Sequence, residues 1–139
     1  MDLTIIFLFA AIIIVGAVMF ALISRSTKGS KKIDVEYFRT RCLQIEHQLK
    51  QDEPSSYHLS VLNADKLVDM ALKKRGTKGK TMGERMKNAN ASFSDNNGIW
   101  SAHKLRNKIA HETDISVTYN DARQALANFR KALKDLGAI

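Results

Sequence analysis

Residues 3–23 read LTIIFLFAAIIIVGAVMFALI, and this stretch decides the architecture. It holds no charged residue, and Thr4 is its only polar side chain. As a helix rising ~1.5 Å per residue it is about 32 Å long, close to the ~30 Å hydrocarbon core of a bilayer. A helix packed on a soluble core keeps a polar stripe toward water, and this segment has none. A cleaved signal peptide has a basic start, an apolar run of about 7–15 residues and a small-residue cleavage site. Here the start is Met1-Asp2 and the far end is Phe20-Ala21-Leu22-Ile23-Ser24-Arg25, which supply neither the basic start nor the cleavage pattern. The expectation is a single transmembrane anchor over residues 1–24.

The flanks give that anchor a direction. Arg25, Lys28, Lys31 and Lys32 follow it, whereas only Asp2 and the α-amino group precede it. Lys and Arg resist translocation, so the basic side is expected to stay in the cytoplasm and the N-terminus to point outward. This places the chain in the cell membrane as a single-pass protein with a cytoplasmic soluble domain. Residues 25–33 read as a small, polar, basic linker lying near anionic headgroups. The lone cysteine, Cys42, suits a reducing compartment and excludes an intramolecular disulfide framework or a cysteine-based zinc cluster. It reads as a small apolar helix residue.

The whole chain has 139 residues and a formal charge of +8, which leaves no room for a large multidomain enzyme. All 22 Lys and Arg, but only 13 of the 14 Asp and Glu, lie beyond the anchor, so the rest of the chain is basic. From residue 34 to 139 the apolar residues recur at helical spacings. Val35, Phe38, Cys42, Ile45 and Leu49 predict a helix from about Asp34 to Lys50. Pro54 interrupts it, and a second helix is expected from Ser55 or Ser56 to Arg75, with Leu59, Leu62, Leu67, Val68, Ala71 and Leu72 inward and Gly76 as its stop. Thr81-Met82-Gly83-Glu84 fits a capping box opening a short helix to about Ala91. Ser94–Gly98 reads as a turn, a fourth helix as roughly Ile99 to Ala110 or His111, and Ile115–Thr118 as an ambiguous extended piece. Thr118-Tyr119-Asn120-Asp121 opens a last helix to Leu136, stopped by Gly137. The fold class is therefore all-α, one transmembrane helix followed by a bundle of about five. Roughly 105 residues bury only a modest core, and dimerisation would help a domain of that size.

Chemistry concentrates in Ser101-Ala102-His103-Lys104-Leu105-Arg106-Asn107-Lys108-Ile109-Ala110-His111-Glu112. An arginine and a histidine flank four residues near a helix end, with Asn107 next to the arginine. This resembles the HEPN family of all-α bundles marked by an R-x(4–6)-H motif, over residues 34–139 and most sharply over 103–112. The resemblance implies metal-independent RNA cleavage at a composite homodimer cleft, or RNA or protein binding in degenerate members, with no cofactor. A regulatory protein is a further possible partner. Residue chemistry leads the same way. Arg106 offers a permanent forked cation for phosphate, His111 a proton carrier near neutral pH, and Asn107 a group to orient either. On one helix, Arg106 and His111 lie roughly 140° apart around the axis and ~7.5 Å along it. Either the helix ends before His111, or two copies complete each other's site, and tethering in a membrane would favour such pairing.

Plainer readings stand beside these. His111 is a favoured cation at a helix C-terminus, and Arg106 has acids nearby to pair with, such as Glu112 or Asp114. The chain then becomes a non-catalytic membrane-tethered scaffold or an interaction module. His103, three residues before Arg106, can join the site but reads first as a surface histidine, as do His47 and His58. The cluster Lys73, Lys74, Arg75, Lys78, Lys80, Arg85 and Lys87 can track an RNA backbone, lie on anionic lipid or simply be solvated. Its first five members are the candidate RNA contacts. Aromatics are sparse there, Phe93 and Trp100 being closest, and Trp100 reads as core. Gly76-Thr77-Lys78-Gly79-Lys80-Thr81 ends like a phosphate loop but has the wrong spacing and no preceding strand.

Overall fold

A computed structural model of the chain describes residues 3–26 and 32–139. The linker expected over residues 25–33 therefore lies largely outside the described residues, at 27–31. The chain divides into two units, Met1–Ser30 and Lys31–Ile139. The first contains helix α1, Leu3–Ser26. Its segment Leu3–Leu22 is long and apolar enough to cross a membrane, and every side chain described in it is exposed. Phe7, Leu8 and Phe9, successive residues about 100° apart around the helix, are 66%, 62% and 61% exposed, so bare apolar surface runs around it.

The second unit is a bundle of five α-helices with no strand among the described residues. Helix α2 spans Val35–Gln48 and is capped by Asp34, whose Oδ1 accepts from the Tyr37 amide at 3.0 Å. It buries Phe38, Cys42 and Ile45. Val35, expected on that stripe, is exposed at the first turn. Helix α3 runs Pro54–Lys74, one residue earlier than the serines suggest. Proline suits N1, where its missing N–H is an orphan anyway. Ser56 instead ties the preceding loop down, accepting from the Lys50 amide at 3.0 Å and donating to the Glu53 carbonyl at 2.7 Å.

Helix α3 is the centre of the bundle and packs against α2, α4, α5 and α6. Its inner face carries Val61, Ala64, Leu67, Val68, Ala71 and Leu72. Leu59, expected inward, is 51% exposed, since Ser60 and Val61 take the buried positions beside it. The helix ends as expected at Gly76, where φ is +76°. The Gly76 amide donates to the Lys73 carbonyl and the Thr77 amide to that of Leu72, a Schellman ending that needs a left-handed residue.

Helix α4, Met82–Asn88, is capped by Thr81, and a 3-10 turn follows at Asn90–Ser92. The box is only half closed. Thr81 Oγ1 accepts from the Glu84 amide, but the Glu84 carboxylate accepts from Lys80, one residue before the cap. Helix α5, Asn96–His111, starts three residues before Ile99 because Asp95 is its cap, its Oδ1 accepting from Gly98 at 2.8 Å. Residues 115–118 form no strand and lead into α6, Tyr119–Asp135, through a complete capping box between Thr118 and Asp121. Helix α6 buries Ala122, Ala125, Leu126, Phe129, Ala132 and Leu133 against α3 and α5. Arg130 reaches both oxygens of Glu46 on α2 at 2.7 Å.

Candidate functional site

The site grows from a charged stripe on α3. Leu62, Asp65, Lys66, Asp69 and Lys73 recur at spacings of three and four, so they share one helix face. On α5, His103, Arg106 and Asn107 share a face by the same rule. These two stripes form the walls of an open groove of about 710 Å3, with Thr81, Met82 and Gly83 at its α4 end. That volume lies within the range of about 300–1,000 Å3 typical of ligand sites.

Asp65 organises the groove. Its side chain is only 5% exposed, and its two oxygens hold two residues of α5. Oδ1 lies 2.7 Å from His103 Nδ1. Oδ2 lies 3.2 Å from Arg106 Nε, near enough for charge attraction but off the line of a hydrogen bond, so that buried N–H is unpartnered. A buried carboxylate is costly unless cations or donors surround it, and here the surrounding groups are those that face the groove. Arg106 remains half-buried, and its Nη1 donates to Asn107 Oδ1 at 2.9 Å.

The second acid is anchored as firmly. Arg85, itself buried, donates from Nε to Asp69 Oδ1 at 2.7 Å and from Nη1 to the Gly79 carbonyl at 2.6 Å. Lys73 Nζ lies 2.8 Å from Asp69 Oδ2. Burial pushes the Asp69 carboxyl up, but hydrogen bonds and charge from Arg85 and Lys73 together outweigh it and hold the group below the usual aspartate range. With Asp65 and Asp69 both satisfied from within, Lys66 adds an exposed cation to the groove wall.

The expected site residues separate accordingly. Arg106 and Asn107 lie together in the groove, whereas His111 is exposed on the last turn of α5 and does not line it. The helix continues through His111, so an early helix end does not bring the two side chains together. His103, read first as a surface residue, is buried because Asp65 claims its Nδ1 and Trp100 packs edge-on against its ring. Of the five lysines and arginines expected to contact RNA, Lys73 lines the groove, and Lys74, Arg75, Lys78 and Lys80 are exposed elsewhere. Arg75 also serves the fold, its Nη1 donating to the Leu136 carbonyl at 3.0 Å. Arg85 is withdrawn from any surface role by its bonds to Asp69 and Gly79. Trp100 is partly buried against the core. The sequence did carry a signal for Asp65 in the three-and-four spacing of charges on α3, but such a stripe ordinarily marks a solvated helix face. No family model, curated protein or solved structure matches the chain.

Proposed function

We propose that this chain is a membrane-anchored, HEPN-like endoribonuclease that cuts RNA by attack of a ribose 2′-OH, its soluble domain on the cytoplasmic side of the cell membrane. The observation that carries the reading is the convergence of Arg106, Asn107, Lys66 and Lys73 on one open groove, with Arg106 held by the buried carboxylate of Asp65 and Lys73 by Asp69. A phosphodiester there meets the forked guanidinium of Arg106, which stabilises the extra charge that develops on the phosphoryl oxygens. Asn107, bonded to Nη1, fixes the plane of that fork. Lys66 and Lys73 follow the backbone on the α3 side, and the basic surface beyond them attracts the polyanion. A homodimer would bring a second copy's α5 beside the groove and give the exposed His111 a role there. The resemblance of residues 103–112 to the R-x(4–6)-H motif supports the same reaction class.

The ion pair between Arg106 and Asp65 also favours a second reading, a non-catalytic scaffold in which the pair only joins α3 to α5. Full-length protein in detergent micelles separates the two. In the ribonuclease reading it degrades RNA in EDTA, and Arg106→Ala lowers the rate about 100-fold or more while the helical signal persists. Equal inertness of wild type and variant across varied RNAs, with the variant merely melting earlier, leaves the scaffold.

A further inference from the structure

We infer that His103, oriented by Asp65, is the group that takes the 2′-OH proton during cleavage. The inference rests on the ribonuclease reading above and names the proton carrier of that same groove. Among the described residues, His103 is the one histidine lining the groove that Arg106 lines. An ionised carboxylate only accepts hydrogen bonds. For Nδ1 of His103, 2.7 Å from Asp65 Oδ1, to donate to it, the neutral ring takes the tautomer whose Nε2 is the free acceptor, on a residue that lines the groove. A base held in one tautomer by a buried acid, three residues from a phosphate clamp on the same helix face, is the arrangement that general-base attack requires. His111 lies about 140° around the helix from Arg106 and has no such partner among the described residues.

In the cleavage step, Nε2 accepts the 2′-OH proton while O2′ forms a bond to phosphorus and the P–O5′ bond breaks, leaving a 2′,3′-cyclic phosphate. The departing O5′ takes a proton from water, and the hydroxide so formed is neutralised by the proton on Nε2, which restores the neutral imidazole. Asp65 acts through His103 and Arg106 and is a positioning residue. It stabilises the imidazolium and keeps the ring turned toward the groove.

The test compares full-length wild type, His103→Asn and His103→Ala in micelles with EDTA. Asparagine keeps a donor for Asp65 but cannot carry a proton. We expect His103→Asn to keep the wild-type helical signal, to bind 2′-O-methyl RNA within about threefold of wild type, and to cleave RNA at least ~100-fold more slowly. Added imidazole should raise the rate of His103→Ala about tenfold or more and leave wild type unchanged, which a merely structural histidine would not show. If His103→Asn does not fold, imidazole rescue of His103→Ala decides alone. Wild-type cleavage with His103→Asn within about threefold of it, or without rescue of His103→Ala, overturns the inference and leaves the ribonuclease reading standing. Wild type that cuts no RNA overturns both.

Discussion

Asp65 shows how much one buried side chain can arrange. Removing its charge strands two partners at once, the ring of His103 and the guanidinium of Arg106. Cys42 shows the opposite case, a titratable group that only packs. Burial and the nearby Glu46 carboxylate push its thiol up, consistent with a small apolar residue of the core. At Asp121 the side-chain hydrogen bond from Thr118, then the backbone one, hold the carboxyl below the usual aspartate range. A depressed folded-state value contributes stability that is fully present above the unfolded value of about 3.9 and is lost as pH falls through the folded one. Asp121→Asn should therefore melt below wild type at pH 7, and the gap between them should narrow at pH 3. Thermal unfolding at the two pH values measures this, and a gap of constant size would show that the Asp121 charge does not support the cap.

At the scale of the element, helix ends were more legible than helix faces. Gly76 and Gly137 both read as stops, because a left-handed residue there is a local need that glycine meets unaided. Gly137 has φ +68°, with open space where a Cβ would stand. Gly137→Ala thus adds torsional strain and no clash, and should cost about 1 kcal/mol in chemical denaturation. A variant as stable as wild type would mean that α6 ends without the strained turn. At the other end of α6 the Thr118–Asp121 box was legible for the same reason, its hydrogen bonds joining residues only three apart. On α3 the reading fails at Leu59, which is exposed, and at Leu62, which lines the groove, since a central helix packs against four neighbours and has no single inward direction. The groove was half legible for a related reason. Arg106 and Asn107 sit in one local motif, but the Asp65–His103 bond joins residues 38 apart, and helical periodicity carries no information on which helices will face each other.

At the scale of the molecule, an apolar helix able to cross a bilayer and a basic helical bundle share one short chain. In the proposed reading, confinement at a membrane raises local concentration and favours pairing of two copies, between which a composite site with His111 would form. The ribonuclease reading requires that chemistry in the Arg106 groove use the ribose 2′-OH. That requirement is met or broken by cleavage, in EDTA, of one RNA oligonucleotide by the full-length protein, against the same oligonucleotide methylated on every 2′ oxygen. We predict cutting of the first, with 2′,3′-cyclic phosphate ends, and none of the second, although both bind. Equal cutting of both, or of neither, contradicts the reading.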